Sequence, residues 1–248
     1  MNAWFVSDIH LKHLNERNGN ILLRFLLSLL NKERPCTHLF LLGDIFDLWF
    51  GNHEFYASKF QPIVDALKQL SSEGINVIYF EGNHDVHVIE FWKSLGIESY
   101  VDPQVFNIGK FKIRCEHGDF LNPNDLAYIK YRSYLRHPIS EKAAQIIPAK
   151  FMSIIGENFS RISRKHSSKK RADRSEEIRK MIRDYAVKVR SDQEFDFIIT
   201  GHMHVKDEFT FEKENKKVSS INLGSWFESQ DALLINEQGA SWVRLSDN

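Results

Sequence analysis

The segment INVIYFEGNHD, which occupies residues 75–85, combines two signals that decide the fold. Residues 75–80 are mostly apolar and β-prone, which is typical of a buried strand. The strand is expected to end near Gly82 and Asn83, because these residue types favour turns. His84 and Asp85 follow at once. The segment therefore predicts a strand whose carboxyl end carries amide, imidazole and carboxylate groups.

The same arrangement recurs four more times along the chain. Short apolar runs at 3–6, 38–42, 111–115 and 197–200 are each followed by polar side chains. In chain order these side chains are Asp8 and His10, Asp44, His117 and Asp119, and His202 and His204. Ligands bind at the carboxyl ends of strands in α/β sheets, so we expect the five loops to share one crevice. Residues two apart on a strand face the same side. This predicts that the side chains of Asp8 and His10 point in the same direction.

The five clusters offer Asp, Asn and His side chains and no cysteine. Oxygen and nitrogen ligands of this kind suit Mn²⁺, Fe²⁺ or Zn²⁺ in an open site rather than a closed structural zinc. Taken alone, each cluster has a plainer explanation, with Asn83 shaping a turn or His117 packed in a core.

Helical patterns separate the predicted strands. Apolar residues recur at helical spacing between Ile21 and Leu30, and again at Ile63, Leu67 and Leu70. Alternating strands and helices favour an α/β sandwich with a partly parallel sheet. Further strands are predicted at 106–108, 218–222 and 232–235, and residues 235–245 are interpreted as a hairpin that closes the second sheet.

The charge of this 248-residue chain is balanced overall but uneven along the sequence. The chain has 33 basic and 33 acidic residues, yet residues 121–190 hold 17 basic and 7 acidic ones. The composition argues against disordered, collagen-like and coiled-coil proteins. Two cysteines argue against a disulfide framework and favour the cytoplasm. The most apolar run, 21–30, is too short to span a bilayer, and the first ten residues do not fit a signal peptide.

The segment 121–190 interrupts the alternation and is predicted to be mostly helical. Asp125 and Ser175 can cap two helices, and Pro148 suits the start of another between them. That middle helix carries an apolar stripe, Phe151, Ile154, Ile155 and Phe159. The basic run at 161–171 is either a solvated face or a surface for an anionic ligand or membrane.

The five clusters, D-x-H, G-D, G-N-H-D, H-G and G-H-x-H, resemble the calcineurin-like metallophosphoesterase superfamily. The resemblance implies a single domain over 1–248 with a four-layer αββα sandwich. It also implies two divalent metals, first of all Mn²⁺, with Fe²⁺ or Zn²⁺ as alternatives, bridged by the catalytic Asp44. The implied ligands are Asp8, His10 and His204 for one metal and Asn83, His117 and His202 for the other. His84 is implied to stabilise the transition state or to protonate the leaving oxygen.

A narrower resemblance lies in EHGDFLNPNDLAY, residues 116–128, and in the basic helical insertion after it. These resemble the UDP-2,3-diacylglucosamine pyrophosphatases of lipid A synthesis, which release UMP and 2,3-diacylglucosamine 1-phosphate. The resemblance implies that 121–190 is a helical lid for the acyl chains. The implied substrate contacts are Asp125, Tyr128, Arg161, Arg164 and Lys165. His84 stands where the best-known branch has arginine, and NPND stands where it has CTDD.

Two alternatives stay open. One is another phosphodiesterase or phosphatase of the superfamily, acting on a soluble nucleotide or a phosphoprotein. The other is a non-catalytic scaffold, which every filled ligand position argues against. The favoured partner is a nucleotide-lipid rather than a nucleic acid. We expect a cytoplasmic protein whose basic insertion can contact the inner membrane.

Overall fold

The computed structural model describes residues 1–51, 54–140, 142 and 174–246. The elements, in chain order, are β1 (Asn2–Val6), α1 (Arg17–Leu30), β2 (His38–Leu42), β3 (Trp49–Phe50), α2 (Glu54–Lys59), α3 (Gln61–Ser72), β4 (Asn76–Phe80), β5 (Asp85–Val86), α4 (Ile89–Ser94), β6 (Glu98–Tyr100), β7 (Gln104–Ile108), β8 (Phe111–Cys115), α5 (Leu126–Leu135), α6 (Ser175–Asp192), β9 (Phe197–Thr200), β10 (Asp207–Lys213), β11 (Lys216–Asn222), β12 (Asp231–Asn236) and β13 (Gly239–Arg244).

Two larger sheets form the centre of the fold. The first has six strands in the order β13-β12-β1-β2-β4-β6, and β1, β2, β4 and β6 are parallel. The second has five strands in the order β10-β11-β9-β8-β7, with β8, β9 and β11 parallel. Within each sheet, the strands that precede the five predicted loops are therefore parallel to one another.

Apolar side chains fill the space between the two sheets. Phe5 of β1 stacks on Phe40 of β2 with ring centroids 4.6 Å apart, and both belong to one buried cluster with Ile113 and Ile199 of the second sheet. Because alternate residues of a strand face opposite sides, Trp4 and Leu39 point the other way, into a second cluster with the helices.

Helices cover the outer face of each sheet. α1 and α3 bury one apolar stripe each against the first sheet, including Phe25 and Leu67. α6 covers the second sheet, where Ala186 packs with Ile198 and Val218. The order helix, sheet, sheet, helix confirms the predicted four-layer αββα sandwich.

Two details of the predicted elements are wrong. The β12–β13 hairpin belongs to the first sheet, because β12 pairs with β1. It can lie there since β12 is buried on both faces, with Leu233 in the core between the sheets and Ala232 in the helix-facing core. Ser175 is the first residue of α6, not its cap. Arg174 holds the cap position, and Glu176 and Glu177 favour the helix start by charge.

Part of the predicted insertion falls outside the described residues. This holds for the helix start at Pro148, the apolar stripe from Phe151 to Phe159, and the basic run at 161–171. Within the described part, Asp125 caps α5 as predicted, since its Oδ1 accepts the Tyr128 N–H at 2.9 Å. The assignment of 121–190 as a lid stays a prediction.

Candidate metal centre

The predicted ligands meet at the carboxyl ends of β1, β2, β4, β8 and β9. They form two groups of side chains whose ligand atoms lie within 4.8 Å of one another. The first group is Asp8, His10, Asp44 and His204, and the second is Asp44, His117 and His202. Asn83 adjoins the second group, with its Oδ1 3.4 Å from His117 Nε2. The structure therefore brings all seven predicted ligands together around Asp44.

Asp44 faces the two groups with different oxygen atoms. Its Oδ2 lies 3.7 Å from His10 Nε2, and its Oδ1 lies 3.6 Å from His117 Nε2. In the first group, His204 Nε2 is 3.0 Å from both Asp8 Oδ1 and His10 Nε2. One carboxylate that points into two clusters has the arrangement that a bridging ligand requires.

The backbone, not strand alternation, turns these side chains inward. β1 ends at Val6 and β9 at Thr200, so the paired residues lie beyond the strands. Five ligands have a left-handed backbone, namely Asp8 (φ 50°), His10 (φ 52°), Asp44 (φ 53°), His202 (φ 64°) and His204 (φ 54°). The prediction that Asp8 and His10 converge is right, but its reason was wrong. Such conformations cost about 1–3 kcal/mol each and concentrate at functional sites.

Hydrogen bonds hold the strained loops against one another. The Asp8 N–H donates to the Gly43 carbonyl at 3.2 Å, and the His10 N–H donates to the Asp44 carbonyl at 3.0 Å. The His202 N–H donates to Asp8 Oδ2 at 2.9 Å. Asp8 thus joins the loop after β9 to the loop after β2.

Glycines leave the space that the carboxylates occupy. A Cβ atom at Gly82 would overlap Asp44 Oδ1, and one at Gly201 would overlap Asp8 Oδ2. A Cβ at Gly43 would lie 2.6 Å from His117 Nδ1. These close approaches explain why glycine precedes Asp44, Asn83 and His202 in the sequence.

The donor set fits divalent cations. His117 is oriented by its Nδ1–H, which donates to the Leu42 carbonyl at 2.8 Å and leaves Nε2 facing Asp44. Backbone contacts of this kind fix the tautomer of metal-binding histidines. Burial alone would lower the pKa of His117, but Asp44, Asp8 and Asp119 raise it to about 9. The cluster of carboxylates therefore attracts positive charge to this point, and the hard oxygen and nitrogen ligands suit divalent metals.

Asp85 is a positioning group beneath the centre. Its carboxylate is fully buried and accepts N–H groups of Asp44, Ile45 and Gly82 at 3.0, 2.9 and 2.6 Å. The Tyr79 hydroxyl also donates to it at 2.5 Å. Burial and the nearby Asp44 raise the pKa of Asp85 to about 7. The residue ties together the loops that carry Asp44 and Asn83.

His84 lies at the edge of the first group. Its backbone N–H donates to Asp44 Oδ1 at 2.9 Å, and its Nδ1 is 2.8 Å from the Asp47 carbonyl. Since a carbonyl only accepts, Nδ1 carries the proton and Nε2 is the ring nitrogen left for a substrate. His84 also forms a third group of ligand types with His10 and Asp47, a residue that the sequence motifs did not single out.

Tyr128 and Arg132 of α5, and Arg136 directly after its last residue, attach this helix to the centre. The Tyr128 ring lies 5.3 Å from the His202 ring. Its hydroxyl and Arg132 Nε donate to Asp119 Oδ2 at 3.2 and 2.5 Å. Arg136 donates to the buried Glu81 at 2.5 Å and to the Gly82 carbonyl at 3.2 Å. The sequence analysis did not single out the two arginines. Their spacing of four and eight residues from Tyr128 could have predicted that they lie on the same side of the helix as Tyr128.

Charge explains the role of Asp119. Burial alone would raise its pKa, but His117, Arg132 and His202 hold the pKa of Asp119 below its usual value. The ionised carboxylate anchors α5 beside the second group. Asp119 therefore orients α5 relative to the second group.

The predicted substrate contacts separate into three cases. Tyr128 lies next to the centre, as its contact with His202 indicates. Asp125 is exposed and caps α5, so its role in substrate binding stays a prediction. Arg161, Arg164 and Lys165 lie outside the described residues. Among the helices of the described part, none is both long and apolar enough to cross a membrane.

A two-sheet sandwich with a buried carboxylate and imidazole centre at its strand ends defines a class of proteins that can hold divalent metals there. The model of the calcineurin-like phosphoesterase family matches residues 1–206, and the chain belongs to this family.

Two relatives in sequence agree with this assignment. The UDP-2,3-diacylglucosamine hydrolase of Pseudomonas entomophila (strain L48) is 29% identical over 236 residues, which cover 94% of this chain and 95% of the relative. That of Histophilus somni (strain 2336) is 25% identical over 242 residues, covering 97% and 99%. The solved structure of an archaeal phosphodiesterase covers 98% of this chain and 99% of its own, with a TM-score of 0.49 and 13% identity.

Proposed function

We propose that the protein hydrolyses the diphosphate of UDP-2,3-diacylglucosamine to UMP and 2,3-diacylglucosamine 1-phosphate. The observation that carries the reaction type is the pair of ligand groups that share Asp44. The choice of substrate is supported by relatives named UDP-2,3-diacylglucosamine hydrolase that align over 94% or more of this chain.

The ligand groups define the proposed roles. Asp8, His10, Asp44 and His204 would hold one divalent metal, and Asp44, Asn83, His117 and His202 would hold the other. Two bound metals, Mn²⁺ in our proposal, supply an activated water and neutralise the charge of the phosphoryl oxygens. Asp44 sets the spacing of the two positions, because it is the residue common to both.

His84 is proposed as the acid for the leaving oxygen. Water adds to one phosphorus, the bridging P–O bond breaks, and the departing oxygen must receive a proton. His84 in its doubly protonated form can give its Nε2 proton to this oxygen, while its Nδ1–H stays on the Asp47 carbonyl at 2.8 Å. The backbone N–H of the same residue donates to Asp44 Oδ1. This hydrogen bond keeps the acid next to the shared carboxylate.

Replacing His84 with asparagine is expected to lower kcat by about 10²–10⁴-fold, the usual contribution of a general acid. Metal content, measured by elemental analysis, should stay that of the wild type if His84 acts on the substrate. A parallel loss of one metal would contradict this role and make His84 a ligand of the group with His10 and Asp47. His13→Asn, which replaces an exposed histidine outside the ligand groups, serves as the matched control and should keep the wild-type kcat.

The segment 121–190 is proposed as the lid over the lipid half of the substrate. Tyr128, Asp125, Arg161, Arg164 and Lys165 would contact the substrate, with the three basic residues meeting its phosphates. The excess of 17 basic over 7 acidic residues in this segment supports a cytoplasmic protein that also touches the anionic face of the inner membrane. A nucleotide-lipid is then the partner, rather than a nucleic acid.

The direct test is UMP release from purified UDP-2,3-diacylglucosamine. The protein is first stripped with a chelator and then supplied with Mn²⁺. We expect no UMP from the stripped protein and full UMP release after Mn²⁺ is restored. The metal-replete protein is also given a cyclic nucleotide and a phosphoprotein. Preference for either of these over the lipid would contradict the proposed substrate while leaving the family assignment intact.

A further inference from the structure

Phe227 lies at the rim of the first ligand group. The loop between β11 and β12 carries it, and 51% of the side chain is exposed. Its ring is parallel to that of His10, with an interplanar angle of 11° and centroids 5.3 Å apart. The His204 ring lies 6.2 Å away. A large aromatic ring is thus exposed next to the residues that would hold a metal and a phosphate.

The loop presents Phe227 rigidly. The neighbouring Trp226 is buried, and its backbone N–H donates to the Asp8 carbonyl at 3.2 Å. The Trp226 carbonyl accepts Gln230 Nε2 at 2.7 Å, and Trp226 Nε1 donates to the Asp231 carbonyl at 3.1 Å. The Phe227 N–H itself donates to Ser225 Oγ at 3.3 Å. A ring that is carried by an ordered backbone and stacks on His10 loses little conformational freedom when a ligand binds to it.

Two aromatic residues flank the two halves of the centre. Phe227 lies beside His10 of the first group, and Tyr128 of α5 lies beside His202 of the second. α5 also begins the segment that we assign to the lipid half of the substrate. A diphosphate held between the groups would direct its lipid half toward Tyr128 and its nucleoside half toward Phe227.

We propose that Phe227 is the stacking platform for the planar base of the nucleotide half of the substrate. This inference rests on the proposed function, because it assigns one half of that substrate to one side of the centre. Aromatic rings bind nucleobases through their faces with little dependence on base identity. Phe227 supplies affinity for the base, and His10 beneath it keeps the ring next to the phosphate position.

The experiment compares UMP with ribose 5-phosphate, which has a hydroxyl group in place of the base. UMP and ribose 5-phosphate are titrated into the Mn²⁺-loaded protein by calorimetry. We expect wild type to prefer UMP, and Phe227→Ala to weaken UMP binding by about tenfold, the scale of one base–aromatic stacking contact. The affinity for ribose 5-phosphate should be the same in wild type and in Phe227→Ala. Phe227→Trp should keep the preference for UMP, and Phe227→Leu, which is apolar but has no ring, should lose it.

Two controls separate stacking from a general loss of structure. Leu27→Ala removes another exposed apolar side chain, on α1, and should leave both affinities unchanged. Elemental analysis of Phe227→Ala checks that His10 still holds its metal. Equal weakening of UMP and ribose 5-phosphate would overturn the proposal, because Phe227 would then only support His10. Equal binding of the two ligands by wild type would overturn it as well.

Failure of the proposed function gives a different result. If wild type releases no UMP from the lipid but its preference for UMP over ribose 5-phosphate still depends on Phe227, the platform stands and the lipid substrate is wrong. If the lipid is cleaved and the preference does not depend on Phe227, the substrate stands and the platform is wrong.

Discussion

Replacing Asp44 with asparagine is expected to reduce UMP release by about 10³-fold or more, because bound metals contribute several kcal/mol to phosphoryl transfer. Asp44 is the residue that both ligand groups contain, so its neutralisation affects both metal positions. In the wild-type structure the His84 N–H donates to Asp44 Oδ1 at 2.9 Å. Asparagine keeps an Oδ1 atom and can accept the same hydrogen bond. Activity and metal content are measured on the same samples.

The variant should remain folded, which makes the loss informative. Asp44 raises the pKa of the buried Asp85 by repulsion between carboxylates. Removing that charge is expected to leave the free energy of unfolding of the metal-free protein no lower than that of wild type, as urea titration would measure. A stable variant with two bound metals and normal UMP release would refute the bridging role of Asp44.

Replacing Asp85 with alanine is expected to have the largest effect on stability. The change leaves three buried N–H groups and the Tyr79 hydroxyl without their acceptor. Each donor left without an acceptor costs about 1–3 kcal/mol. Relief of the repulsion between Asp85 and Asp44 offsets part of this cost. We expect the free energy of unfolding of the metal-free protein to fall by at least about 3 kcal/mol in urea titrations.

Tyr79→Phe is the matched control for Asp85. It removes one of the four donors and keeps the aromatic ring, which packs on Trp92 with centroids 4.8 Å apart. This variant should lose only about 1 kcal/mol. Equal losses for Tyr79→Phe and Asp85→Ala would mean that the backbone bonds to Asp85 contribute little, contrary to the role assigned here.

Local sequence patterns predicted an α/β sandwich and the polar side chains at its strand ends, and the resemblance to the family added the four layers and the ligand set. The strands that matter are short, apolar and followed by glycine or by polar ligands, and each of these features is visible within ten residues. Segments without such a pattern were missed. β3 and β5 have two residues each, and β10 is an edge strand that places Glu208 and Glu212 at exposed positions.

The geometry of the centre could not be read from local patterns. Left-handed backbone at Asp8 or His204 depends on contacts with distant loops, such as the bond from the His202 N–H to the Asp8 carboxylate. The attachment of Arg136 to Glu81 joins residues 55 positions apart. The sheet that receives the β12–β13 hairpin likewise depends on which partner buries both faces of β12.

The contact between His10 and His204 joins residues 194 positions apart and loops from different sheets. A chain that has formed only the first sheet completes neither of the two groups that share Asp44, since His204, His117 and His202 follow strands of the second sheet. Metal capture must therefore wait until the two sheets have docked, which places it late in folding and after most of the chain has been synthesised. A bound metal would favour the docked state by mass action, so we expect its supply to raise the free energy of unfolding.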